Sequence, residues 1–147
     1  MSECYEELSS ALVYLINKAL YSVSGITGVA ISRLAAKFML DYLHSQNFLD
    51  KADFNEEQLK DIFINKLKIA EDLSITENNG TVTLHVKNPI LNSAIKHLLN
   101  EKIPIIIHPA IIYVFLVAQL NNYKVKFQEV NYKEDENIAV WTFKKIN

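Results

Sequence analysis

The sequence has one cysteine, three glycines, three prolines and a single arginine, Arg33, and each scarcity removes a class of function. Cys4 stands outside any CxxC spacing, so it closes no internal disulfide and starts no zinc cage, which fits a reducing cytoplasm. One arginine leaves the chain poor in the side chain that most often reads guanine or clamps phosphate with two hydrogen bonds. A formal charge of −2 adds no general attraction to a phosphate backbone, so nucleic acid is not an expected partner. The opening residues, MSECYEELSS, lack the basic start and apolar run of a secretory signal, and a cytoplasmic location is expected. A membrane span is also missing: the most apolar stretch, Ile103 to Leu120, is broken by Pro104, His108 and Pro109. Its uninterrupted part, Ala110 to Ala118, falls well short of the ~20 residues that cross a bilayer and reads as a buried helix.

What is present is an apolar chain of ordinary domain size. Its 147 residues fit one domain, half are hydrophobic and only 22% are charged, a balance that excludes disorder and points to an extra buried interface. Abundant Ile, Asn and Lys give an AT-rich, archaeal or thermophile-like composition, which carries no information about mechanism.

The periodicity predicts five helices and four strands. Leu8, Ala11, Leu12, Leu15, Ile16, Ala19, Leu20 and Val23 share one face of a first helix, and SGITG turns the chain into a second, from about Thr27 to Asn47. That second helix is apolar over most of its circumference and must be covered on several sides. Gly28, Ser32 and Ala36 recur every four residues along it, a stripe without bulk that lets another helix approach closely. In FNEEQLKDIF, Asn55 and Gln58 form a reciprocal cap and Phe54 can staple against Leu59, opening a third helix that is expected to run to about Asp72.

Asn79-Gly80 marks a tight hairpin between LSIT and TVTLHVK. A fourth helix is expected from Pro89 to about Glu101 and a fifth, central one from His108-Pro109 to Leu120. The strands YKVKFQEV and IAVWTFKKI close the chain around the turn NYKEDEN. The expected fold is a single α+β domain over residues 1–147, in the order ααα-ββ-αα-ββ, with helices on one side of a small antiparallel sheet.

No chemistry-bearing motif emerges. SGITGVAIS lacks the Lys-Ser/Thr ending of a phosphate loop and has no strand before it. His44, His85, His97 and His108 form no i, i+4 pair, so no metal site and no cofactor are expected. Acidic residues cluster at helix starts and in Glu134-Asp135-Glu136, where solvation explains them, and no catalytic residue or enzymatic activity is assigned. Three helices and a hairpin also describe a winged-helix regulator, but the helix that would enter DNA begins Asn55-Glu56-Glu57, which repels phosphate.

The order of elements resembles the 4-vinyl-reductase-type small-molecule-binding (hydrocarbon-binding) domains, which share their fold with tethering subunits of transport protein particles. The resemblance rests on SGITGVAISRLAAKFMLDYL, VTLHVKNPILNSAIKHLL, IPIIIHPAIIYVFLVAQLNNYKVKFQEV and AVWTFKKI. It implies a homodimer formed through the first helices and, in some members, an apolar pocket for a lipid-like or aromatic ligand. Many members carry cysteines where this chain has His108 and NYKEDENIAVW, so a cysteine-based site does not carry over.

The expectation is a non-catalytic ligand-binding or regulatory homodimer. Leu12, Ile16, Ile31, Phe38 and Tyr113 would line an apolar cavity, Arg33 or His108 would orient a polar head, and Gly28, Ser32 and Ala36 would meet the other subunit. The rival is a scaffold with a fully packed core that acts through a protein partner.

Overall fold

The computed structural model describes residues 2–24, 28–49 and 54–146. Its elements are α1 (Ser2–Ser24), α2 (Gly28–Ser45), α3 (Glu56–Asp61), β1 (Asp72–Asn78), β2 (Thr81–Lys87), α4 (Asn92–Asn100), α5 (Pro109–Leu120), β3 (Lys124–Lys133) and β4 (Ile138–Ile146). The order is the expected one, and the four strands form one antiparallel sheet in the order β1-β2-β4-β3.

Helices cover one face of this sheet. Along β2, Val82, Leu84 and Val86 are buried while Thr83 and His85 are half-buried, the period of two that a one-sided sheet requires. Ala139, Trp141 and Phe143 repeat the pattern on β4. Against this face lies α5, in which every residue from Ala110 to Ala118 is buried. At about 1.5–3 kcal/mol for each large apolar side chain removed from water, this helix and its partners on β2 and β4 supply much of the driving force. α2 packs on α5, and α1 packs on α4.

Asparagine takes over the role that scarce glycine leaves open. Left-handed backbone occurs at Asn47, Asn79, Asn88, Asn122 and Asn137, as well as at Lys68 and Lys102. Asn47 and Asn122 follow the ends of α2 and α5, where a short polar side chain tolerates the conformation that stops a helix. Asn79 (φ 52°) and Gly80 (φ 81°) form the two-residue β1–β2 hairpin that the sequence predicts, both with the positive φ that such a turn demands.

Two helix boundaries differ from expectation. The reciprocal Asn55–Gln58 cap forms, with bonds of 2.9 and 3.1 Å, but α3 is six residues long and widens into a π-turn over Ile62–Lys66. There the Leu67 N–H reaches back to the Ile62 carbonyl at 2.9 Å, and left-handed Lys68 ends the segment before Asp72. α4 starts at Asn92 rather than Pro89. The approach is instead fixed by left-handed Asn88, whose N–H donates to the Asn137 carbonyl at 2.9 Å, and by the Ile90 N–H, which donates to the Ile69 carbonyl at 3.2 Å. Local proline geometry yields to these tertiary bonds.

Candidate functional site

α1 is folded inside out. Its inward face carries polar Ser10 and Asn17, and Asn17 is 0% exposed. Its outward face carries Leu8 (58% exposed), Leu12, Leu15 (57%), Ile16 and Val23 (90%). At 3.6 residues per turn these apolar positions lie within about 70° of the direction opposite Ser10 and Asn17. On α2, Leu34, Phe38 (59% exposed) and Tyr42 form a second outward stripe, while Ser32, Ala36 and Leu43 are buried on the other side.

The buried asparagine has a structural cause. Residues 103–107 form no regular element between α4 and α5, so their backbone groups need bonds from elsewhere. Asn17 supplies them: its Oδ1 accepts from the Ile106 and Ile107 N–H groups at 2.6 and 2.9 Å. Its Nδ2 donates to the carbonyls of Ile107 at 2.7 Å and Val13 at 2.8 Å. The Ser32 hydroxyl adds a bond to the Ile106 carbonyl at 2.5 Å. Asn17 thereby ties α1 to the core by polar contacts, and Ser32 adds one to the apolar packing of Ala36 and Leu43 on α2.

The expected interface stripe needs correcting. Ser32 and Ala36 face the chain's own core, because α2 must approach residues 103–107 and α5 closely; small side chains serve that internal contact. α2 begins at Gly28, whose surroundings lie outside the described residues.

Nor do the expected pocket residues converge. Leu12, Ile16 and Phe38 point outward, and Ile31 is half-buried. Tyr113 is packed within the core with its ring 5.2 Å from that of Phe63, and burial raises its hydroxyl pKa. His108 is buried as well and acts as the cap of α5: its Nδ1 accepts from the Ala110 N–H at 3.0 Å, next to Pro109 at the first helical position. That bond assigns the ring proton to Nε2, which has no partner among the described residues. The imidazole centroid lies 4.4 Å from that of Trp141, and burial lowers the His108 pKa from 6.5 to about 3, so the ring is neutral.

Arg33 belongs to a different feature, a groove of about 720 Å³ between α2, the end of α5 and the ends of β3 and β4. Ala36, Phe115, Ala118, Val125 and Ile146 line its apolar part, and Arg33, Lys124 and Lys145 stand around it. Lys145 forms an ion pair with Glu77 and lies 4.2 Å from the centre of the Tyr123 ring. Neither Arg33 nor Lys124 forms an ion pair with a described residue.

The α1–α4 seam carries one exposed polar network. Tyr14 donates to Glu101 at 2.8 Å and Lys18 lies 3.4 Å from the same carboxylate. The Tyr14 hydrogen bond, followed by the Lys18 charge, lowers the Glu101 pKa; Tyr14 and then Glu101 raise that of Lys18. Such solvated pairs add little stability. Among the described residues no three His, Cys, Asp or Glu groups come together to hold a metal, and no helix is long and apolar enough to cross a membrane.

Over 141 residues the chain is 31% identical to Uncharacterized protein MJ0758 of Methanocaldococcus jannaschii, a match that covers 93% of this chain and 86% of that one. The chain belongs to the MJ0758 family. An archaeal MJ0758 relative agrees with the archaeal character of the composition. No family model and no solved structure matches.

The sequence missed the importance of Asn17. The available signal was a polar residue in mid-helix, opposite a leucine stripe, where helix propensity gives no reason to place asparagine.

Proposed function

We propose that the protein is a non-catalytic regulatory or scaffold module that acts as a homodimer, joined through the outward faces of α1 and α2. The inside-out α1 carries this reading: leucines face water while an asparagine is fully buried. An isolated exposed leucine is ordinary, but a stripe of five large apolar side chains on α1, with three more on the outward face of α2, is of the kind that marks an interaction surface.

A second copy fits that surface because the stripe on α1 complements itself. In an antiparallel pairing centred near Leu12, Leu8 of one copy meets Ile16 of the other and Leu12 meets its own counterpart, as a two-fold interface requires. α1 is about 34 Å long at 1.5 Å per residue, enough to carry much of a standard interface. The resemblance to hydrocarbon-binding domains, with its implied pairing of first helices, supports the same reading.

Light scattering of the purified chain at micromolar concentration tests it. Twice the chain mass is expected. A monomer refutes the homodimer, and a monomer that gains mass only with a different protein favours the scaffold reading with a foreign partner.

A further inference from the structure

The geometry points to a ligand site apart from the dimer face: the groove between α2, α5 and the ends of β3 and β4 binds a single-chain amphiphile with a carboxylate head. Its volume of about 720 Å³ lies within the range of small-molecule sites and far exceeds what a bare anion fills. The space has a sequence origin. Ala36 on α2 and Ala118 on α5 are small where those two helices come together, and Phe115 and Val125 complete an apolar floor.

The charges around that floor have one sign. Arg33, Lys124 and Lys145 line the groove, and among the described residues no acidic side chain does, although the chain as a whole is net negative. Lys145 is already held by Glu77, which leaves Arg33 and Lys124 without an ionic partner among the described residues. A guanidinium presents a planar fork that matches a carboxylate with two parallel hydrogen bonds, and Lys124 adds a point charge beside it. The apolar floor requires a tail, and the cationic rim requires an acid. Only a ligand carrying both fits both halves of the site.

The site is independent of the proposed dimer. On the α2 wheel, Arg33 lies about 100° from Leu34 and about 140° from Phe38, towards the sheet end rather than on the outward apolar stripe.

Calorimetric titration of the full chain with dodecanoate, below its micelle concentration, tests the assignment, with butyrate, dodecanol and inorganic phosphate as comparisons. Dodecanoate is expected to bind saturably, tightening by about two- to fourfold per added methylene along the acid series until the groove is filled. Arg33→Gln and, separately, Gln119→Glu, which places a carboxylate in the groove, should each weaken dodecanoate about tenfold while dodecanol is unaffected. Both positions are exposed, so the melting temperature should not move.

The proposal is overturned if dodecanoate does not saturate the protein, if phosphate or butyrate binds as tightly, or if neither substitution matters, which would place the carboxylate head elsewhere. Binding to anionic vesicles without binding to monomeric dodecanoate also overturns it. Leu12→Lys, which disrupts the proposed dimer, should leave the dodecanoate affinity unchanged, so the two readings fail separately.

Discussion

Replacing Leu12 by lysine separates a dimer surface from an ordinary exposed helix. Leu12 is 49% exposed in the single chain, so about half of its side chain is already covered there. Lysine can lay its aliphatic stem over the same neighbours and send its ammonium into water, and the isolated chain should change in stability by no more than about 0.5 kcal/mol. The dimer responds differently. Burying the exposed half of a leucine yields roughly 1 kcal/mol, and two-fold symmetry removes that contribution twice, about 2 kcal/mol in all. Two ammonium groups must then be desolvated near each other without a partner, which costs a further 1–2 kcal/mol or so each.

The sum, roughly 4–6 kcal/mol, raises the dissociation constant by about 10³- to 10⁴-fold and converts a sub-micromolar dimer into a monomer at ordinary working concentrations. Sedimentation velocity across a concentration series gives the association constant, and urea denaturation of the dissociated variant gives the stability of the single chain. The reasoning fails if Leu12→Lys stays dimeric with less than about a tenfold change in affinity. It also fails if the dissociated chain is unfolded.

Three further outcomes probe the interior. Leu43→Ala should lower the stability of the single chain by about 2–5 kcal/mol in urea denaturation, through the cavity left where α2 meets the core, rather than act first on association. Asn17→Leu makes the chain more apolar yet should cost about 3 kcal/mol or more by the same measurement, because the N–H groups of Ile106 and Ile107 lose their acceptor. His108 predicts an acid-sensitive native state. Its folded pKa, about 3, lies below its ordinary 6.5, so between those values the unfolded chain binds the extra proton. Stability from this group is complete above pH 6.5 and falls as pH drops through the window, by about 1.4 kcal/mol per unit. Denaturation midpoints for the native protein and for His108→Asn should diverge above pH 4.5, before the carboxylates with lowered pKa contribute; parallel curves would refute a neutral buried imidazole.

Local chemistry was legible wherever the decisive partners are close in sequence. Asn79-Gly80, the Asn55–Gln58 cap and the His108-Pro109 helix start all form as read, because a turn or cap is decided within four residues. The all-apolar α5 was legible too: a helix with no polar side can only be central. Ligand-site residues were less legible. Periodicity correctly grouped Leu8, Leu12, Leu15 and Ile16 on one face, but a period says which residues share a face and not which way it points. That direction depends on Asn17 meeting the backbone of Ile106 and Ile107, about ninety residues away. The Arg33 groove is assembled from four elements whose ends meet only in the folded chain, so only the isolated arginine itself could be singled out beforehand.

The two faces of α2 connect these observations. Small Ser32 and Ala36 are buried beside Leu43 on the inner face, while bulky Leu34, Phe38 and Tyr42 face outward. The close approach explains the inner face: only a small side chain lets α2 sit against residues 103–107 and α5 while the Ser32 hydroxyl reaches Ile106. It does not explain the outer face, where Leu34, Phe38 and Tyr42 are each about half exposed. Under the proposed homodimer, a contact outside the single chain accounts for their apolar character. The same stripe on α1, self-complementary about Leu12, favours a second copy over a foreign helix as that contact. Arg33, placed off the stripe by the helical repeat, remains accessible in that assembly and free to serve the groove beside it.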